Sequence, residues 1–289
     1  MELQQLRYFV AVAEHRHFTR AAEAAHVSQP ALSKQIAVLE RELGSPLFSR
    51  ARGNVTLTPA GDTLLPFARR ILADVEGARI EVRELGGLAR GRLRLGATPT
   101  LLTGLLASVL REYHDAYPGI ELFVEESGSR DLVHLLSDGS LDLALIVLPL
   151  HAHDPALRTE TVLREELVVV SDGSIRARSL RVADLARYPL VMFREGYDLR
   201  DVTLAAFRRA RVQPHFAVEG GEMDAVLGFV EAGLGVAVVP KMVVRDRPKL
   251  HATPLGRPGL TRTVALAYRR DVEPSAAARA FRVMVASID

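Results

Sequence analysis

The 289-residue chain contains no cysteine. Without a thiol there can be no disulfide, no cysteine-ligated zinc, no thiolate nucleophile and no peroxide-sensing thiol, a pattern that suits a reducing compartment. Runs of about 18 apolar residues are also missing, and the start, Met1-Glu2-Leu3-Gln4, has no basic stretch leading into an apolar one. The expectation is a cytoplasmic protein with no membrane partner. Catalytic signatures are scarce too. There is no Gly-x-Ser-x-Gly elbow, phosphate-binding loop or His-Glu-x-x-His pair. Gly233-Leu234-Gly235 begins like a dinucleotide fingerprint, but it follows a helical stretch and precedes a strand, the reverse of a Rossmann turn. His151, His153 and Asp154 sit two apart in a proline-flanked loop and read as solvated polar residues rather than metal ligands. The chain is therefore expected to be no enzyme and to carry neither metal nor cofactor.

What is present is an ordinary soluble composition, 48% hydrophobic and 25% charged, with a net charge of +2. Residues 1–61 hold seven basic against five acidic side chains. Bulk charge argues weakly for nucleic acid, so a case for DNA depends on where those charges sit.

The first sixty residues read as short helices with tight connections. Leu3, Leu6, Phe9, Val10 and Ala13 recur at helical spacing. Thr19 is expected to cap a second helix whose Ala21, Ala22, Ala24 and Ala25 admit a close neighbour. Ser28 caps a third, with Pro30 in its first turn and Gly44 ending it. In that helix Leu32, Ile36, Leu39 and Leu43 share one face, while Pro30, Lys34, Ala37 and Arg41 lie opposite. A helix apolar on one side and small, polar or basic on the other suits a major groove about 12 Å wide. Residues 47–50 and 55–57 read as a hairpin with a basic tip. Thr58-Pro59 then opens a long helix in which Leu64, Ala68, Ile71, Val75, Ala78, Val82 and Leu85 alternate offsets of four and three, the seam of a dimerising coiled coil. Gly86, Gly87 and Gly91 mark a joint.

From Arg92 the texture changes to alternating strands and helices. Strands are expected at 93–96, 120–125, 143–148, 167–171, 190–193, 215–219, 236–239 and 264–268, giving an α/β domain of mainly parallel sheet with two lobes and a cleft.

The ordered run Phe18-Thr19-Arg20-Ala21-Ala22-Glu23, Val27-Ser28-Gln29-Pro30-Ala31-Leu32-Ser33, Leu39-Glu40, Leu43-Gly44, Leu47-Phe48, Arg50 and Leu57-Thr58-Pro59-Ala60-Gly61 resembles the signature of LysR-type transcriptional regulators. Looser likeness continues through Leu95-Gly96, Tyr117-Pro118, Leu141-Asp142-Leu143-Ala144 and Gly233-Leu234-Gly235-Val236-Ala237. The resemblance implies a winged helix-turn-helix over 1–57, a linker helix and hinge over 58–90, and an effector domain over 91–289 similar to periplasmic binding proteins. Its lobe I would span about 91–164 with 263–289, and lobe II about 165–262. It further implies a DNA-binding regulator modulated by a small-molecule effector, tetrameric as a dimer of dimers and able to meet RNA polymerase. A solute-binding protein without a DNA role is the alternative.

The resemblance places Gln29, Pro30, Ser33 and Lys34 at base-reading positions, with Thr19, Arg20 and Ser28 beside them. Glutamine can pair with an adenine edge, lysine can donate to guanine or phosphate, and Pro30 and Ala31 can meet a thymine methyl. Arg50 and Arg52 are expected on the wing, against phosphate or a narrow minor groove, or else form a solvated basic turn. In the effector domain Thr98-Pro99-Thr100 and Ser127-Gly128-Ser129 stand at strand-to-helix junctions where free N–H groups favour an anion. Thr100 and Ser129 align with effector-touching positions, although plain capping explains such residues as well. Arg194, with Tyr197 nearby, can pair with an acidic effector or with a surface acid. Val147 is also expected in the pocket, at a strand end where some members sensing aromatic acids carry arginine. The expected ligand is a small anion such as a carboxylate.

Overall fold

A computed structural model describes residues 1–51, 54–83, 91–148, 155–245, 247–256 and 259–287. The chain divides into two compact units, Met1–Gly87 with His134–Leu141, and Leu88–Val133 with Asp142–Asp289.

The first unit begins with helices α1 (Leu3–His15), α2 (Phe18–Ala24) and α3 (Gln29–Leu43). Leu6, Phe9 and Val12 of α1 pack with Phe18, Ala21 and Ala22 of α2 and with Leu32, Ile36 and Leu39 of α3 into a single core. The expected caps of α3 are present: the Ser28 hydroxyl accepts from the Ala31 N–H at 3.4 Å, and Gly44 ends the helix at φ 70°. A left-handed residue there lets the chain turn without a Cβ clash. The cap of α2 differs from the expectation. It is His17, whose Nδ1 accepts from the Thr19 N–H at 3.2 Å, leaving Thr19 inside the helix. A neutral imidazole nitrogen accepts as a carboxylate would, a use of histidine that residue preferences for caps do not anticipate.

Strands β1 (Phe48–Ala51) and β2 (Asn54–Leu57) form the antiparallel wing. One acid ties it to α3: Glu40 Oε1 accepts from the Leu47 N–H at 2.8 Å and the Phe48 N–H at 3.3 Å. Helix α4 (Pro59–Arg83) follows, capped by Thr58, whose hydroxyl accepts from the Gly61 N–H at 3.1 Å and donates to the Pro46 carbonyl at 2.6 Å. The heptad stripe divides its work. Leu64, Ala68 and Ile71 pack on the helix-turn-helix core, whereas Val82 is 69% exposed. Leu85 and the Gly86–Gly87 joint lie outside the described residues.

The second unit is built on a seven-stranded sheet. Its strands are β3 (Gly91–Ala97), β4 (Ile120–Glu126), β5 (Leu143–Leu148), β6 (Leu157–Ser171), β9 (Ala237–Pro240), β10 (His251–Pro254) and β11 (Leu260–Arg269), ordered β10-β6-β11-β5-β3-β4 with β9 also on β6. The sheet is mixed, which corrects the expectation of a mainly parallel one: β3 runs parallel to β4 and β5, but β6 and β11 pair antiparallel with all their neighbours. The physical reason lies in β6, whose first ten residues, Leu157–Glu166, are too polar to read as a strand. It is held instead by a ladder with β11. A separate parallel pair, β7 (Pro189–Met192) and β8 (His215–Glu219), completes the strands described.

Two hydrophobic cores result. Leu93, Leu95, Leu143, Leu145, Val264, Leu266 and Phe281 belong to the first. The second gathers Leu167–Val170, Leu190–Phe193, Phe207, Val226, Val230 and Leu260. Strands β6 and β11 contribute to both, so each passes from one core to the other along its length. Helices α5 (Pro99–Leu101), α6 (Ala107–Ala116), α7 (Ser129–Ser137), α8 (Asp198–Ala210), α9 (Met223–Glu231) and α10 (Ala276–Ala286) occupy the connections. Between α5 and α6 the helical path passes through a π-helical turn at Leu102–Leu106, a feature often found beside functional sites.

Candidate functional site

The N-terminal unit presents one polar helix start. Ser28, Gln29, Pro30, Ala31 and Lys34 are exposed, as are Thr19 and Arg20 at the start of α2. Leu32, Ile36 and Leu39 on the opposite side of α3 are fully buried, so α3 is anchored by one face and presents the other. Gln29 Nε2 donates to Ser33 Oγ at 2.8 Å. That bond uses one amide hydrogen and leaves Oε1 and the second N–H for the bidentate pairing an adenine edge requires. Arg50 lies in β1, with its side chain outside the description, and Arg52 lies outside the described residues.

The second unit carries a partly open cavity of about 110 Å³. Thr98, Pro99 and Thr100 line it from the β3–α5 junction, Glu126, Ser127 and Gly128 from the β4–α7 junction, and Arg194, Tyr197, Asp198 and Glu222 from the α8 and α9 starts. Arg262 of β11 completes the wall. Thr98 occupies the cap position of α5, yet its side chain makes no capping bond. Its hydroxyl lies instead 3.5 Å from that of Thr100.

Expected residues divide between the wall and the layer behind it. Thr98, Thr100, Arg194 and Tyr197 line the cavity, while Ser129 and Val147 are not among its lining residues. The Ser129 hydroxyl accepts from the Val147 N–H at 3.0 Å and donates to Asp198 Oδ2 at 2.7 Å. Both of its bonding roles are thereby filled. Arg194 pairs with Glu222 at 2.8 Å rather than with the Glu195 carboxylate, and its NH1 donates to the Glu195 carbonyl. With both partners of the ion pair about half exposed, this contact contributes little to stability.

Sequence reading missed the two groups that set the electrostatics. Arg262, only 2% exposed, donates from Nε to Glu165 Oε2 at 2.8 Å and from NH1 to Thr100 Oγ1 at 3.0 Å. Its NH2 is buried without a partner, as is the Tyr197 hydroxyl. An unsatisfied buried polar group costs about 1–3 kcal/mol, more when charged. Asp198 is the other: burial pushes its carboxyl above the usual range, while the Ser129 hydroxyl and the Arg262 charge pull it back. Burial also raises the Tyr197 phenol, which therefore remains a neutral donor. Its ring stacks on Phe193 with centroids 4.7 Å apart and planes 4° from parallel. Among the described residues no cluster of three or more histidine, aspartate or glutamate side chains could hold a metal, and no helix is long and apolar enough to cross a membrane. His151, His153 and Asp154 lie outside the described residues.

Two family models match the chain: the bacterial regulatory helix-turn-helix protein of the lysR family over residues 3–62, and the LysR substrate binding domain over residues 86–287. The DNA-binding transcriptional dual regulator OxyR of Escherichia coli is 32% identical over 276 residues, covering 93% of this chain and 90% of OxyR. The uncharacterized regulator YnfL of the same organism is 33% identical and covers 98% and 97%. Among solved structures, a cysteine-substituted full-length OxyR from Pseudomonas aeruginosa superposes with a TM-score of 0.78 at 31% identity, covering 99% of this chain and 93% of that one. CbnR bound to its target DNA gives 0.73 at 25% identity, covering 99% of each. The match over residues 3–62 leaves the solute-binding alternative without support. With both halves matched in order along nearly the whole chain, the protein belongs to the LysR family of DNA-binding transcriptional regulators and carries that family's effector-binding domain.

Proposed function

We propose that this regulator acts in the cytoplasm as a homo-oligomer, without enzymatic activity, and that a small anion taken up by the cavity of the second unit alters its grip on promoter DNA. The observation that carries the anion is Arg262, a buried arginine in the cavity wall with a donor left over after Glu165 and Thr100 have been served. The threonine hydroxyls of the β3–α5 junction add neutral donors at the same wall. Peroxide sensing through a thiol does not carry over from the hydrogen peroxide-inducible activators to which the chain is similar, because it has no cysteine.

Oligomerisation is assigned to α4. Its stripe continues past the residues that pack on the helix-turn-helix core to exposed Ala78 and Val82, an apolar seam suited to the same helix of a second copy. A tetramer and a contact with RNA polymerase are carried over from the family likeness.

The test is a gel-shift titration of the full chain on DNA from upstream of its own gene, with and without millimolar small carboxylates. Coupling between effector and DNA sites is typically about 1–3 kcal/mol, so at least one carboxylate should change the DNA affinity about 5-fold or more or alter the mobility of the complex. An unchanged titration with every carboxylate, together with a response to uncharged metabolites, would contradict the anionic reading.

A further inference from the structure

Two residues that line the cavity carry a buried donor without a partner, Arg262 at NH2 and Tyr197 at its hydroxyl. Both belong to residues that face the same space. The Thr100 oxygen accepts from Arg262 NH1, so its own proton points away from the guanidinium, toward Thr98 or toward a ligand. Several neighbouring groups are already engaged: Arg262 Nε with Glu165, Ser129 with Val147 and Asp198, and Arg194 with Glu222 and the Glu195 carbonyl. One charged and two neutral donors thus belong to residues of one cavity wall, and a carboxylate offers acceptors on two oxygens to meet them. The rest of the lining carries three acids, Glu126, Asp198 and Glu222, against one further base, Arg194, which is paired with Glu222. A second negative group on the ligand would be repelled there, whereas a hydroxyl or ammonium would find acceptors. Size sets a further limit. A cavity of about 150 Å³ binds benzene, so 110 Å³ suits a molecule of about four to six non-hydrogen atoms.

We propose that the cavity recognises a small monocarboxylate bearing a hydrogen-bond donor on the neighbouring carbon, a 2-hydroxy or 2-amino acid, whose carboxylate is read by Arg262 with Tyr197. The assignment rests on the anionic-effector reading above and makes it specific. It also gives that reading a physical lever. Arg262 and Glu165 face each other across the β11–β6 ladder, between Leu260 and Leu167 of one core and Val264 and Leu163 of the other. A ligand that engages the guanidinium thus acts where both strands pass between the cores.

The test is calorimetric titration of the full chain with glycolate and glycine, against glycolamide and acetate as the uncharged and donor-free counterparts. Glycolate or glycine should bind at least 10-fold more tightly than glycolamide and measurably more tightly than acetate. Which of the two binds better separates the hydroxy from the amino ligand. Arg262→Met leaves Glu165 buried without its partner and can unfold the domain, so the paired variant Arg262→Met/Glu165→Gln is the working form. It should lose at least 10-fold in affinity for the carboxylate while binding glycolamide as the parent does, a discrimination that a merely structural role would not produce. Tyr197→Phe should weaken carboxylate binding several-fold. Carboxylate binding that survives the paired substitution overturns the assignment to Arg262 and leaves the anionic effector standing. No binding by any of the four overturns the small hydroxy- or amino-acid assignment, and preference for the amide overturns the anionic reading with it.

Discussion

A regulator carrying Gln29→Ala and Lys34→Ala together is expected to lose about 30-fold or more in affinity for its upstream DNA, since each lost contact costs about 1–3 kcal/mol and about 1.4 kcal/mol is a factor of ten. The expectation comes from how α3 is mounted. Leu32, Ile36 and Leu39 lock one face into the core, so the opposite face has little freedom to rearrange when contacts are removed. The bond from Gln29 to Ser33 fixes the amide before DNA arrives, lowering the ordering cost on binding. The two residues should also be separable. Gln29→Ala should relax sequence preference at one base pair, whereas Lys34→Ala, if it meets phosphate, should weaken all sequences alike and reduce the slope of log affinity against log salt by about 1. Titrations at several salt concentrations on specific and scrambled DNA measure both effects. Equal binding by the double variant and the parent would remove α3 from the recognition role.

Gly61→Ala should destabilise the N-terminal unit severely, although the change adds only one methyl group. A Cβ at Gly61 would stand 2.2 Å from the Leu47 carbonyl oxygen and 2.8 Å from Leu57 Cδ2. The oxygen is backbone and cannot swing aside. It also accepts from the Thr58 N–H at 3.0 Å, so moving it disturbs the cap of α4. Overpacking costs typically about 1–3 kcal/mol, and a backbone neighbour at this distance places the effect at or above the upper end. For a unit of this size that lowers the melting temperature by about 10 °C or more. Alanine at Gly77, where nothing lies within 4 Å, is the control and should leave the temperature unchanged or slightly raised. A Gly61→Ala protein melting with the parent would show that the Leu47–Gly61 approach is not required.

The helix-turn-helix was legible because its signals are local. Ser28, Pro30 and Gly44 bracket α3 at the residues where it begins and ends, and the four-three spacing of Leu32, Ile36 and Leu39 marks its buried face, whereas Leu43, expected on that face, is 42% exposed in the last turn. Strands β5 and β8 were legible at their ends for a similar reason: turn residues flank short runs with a clear pattern. The second unit was harder because its decisive contacts are long-range. Arg262 stands in Leu-Thr-Arg-Thr-Val, two residues from Leu260 and from Val264, so alternation puts it on their buried face, but an arginine there reads against a strand core until its partner is known. The ladder with β6 supplies that partner, Glu165, 97 residues away. Asp198 likewise reads as an ordinary acid in a first helical turn until Ser129, 69 positions distant, donates to it. Thr98 and Thr100 were visible as junction residues, but local spacing does not say that the Thr98 side chain forgoes capping.

Reading of DNA by α3 from an oligomer joined through α4 is tested most directly by a footprint of the full chain on its upstream DNA. Two-fold related heads predict two protected half-sites on one face of the duplex, with centres separated by about 34–36 Å or a multiple of that helical repeat. Protection at both should disappear together in the Gln29→Ala/Lys34→Ala protein. A single protected site, or a footprint unaltered by those substitutions, would contradict the account.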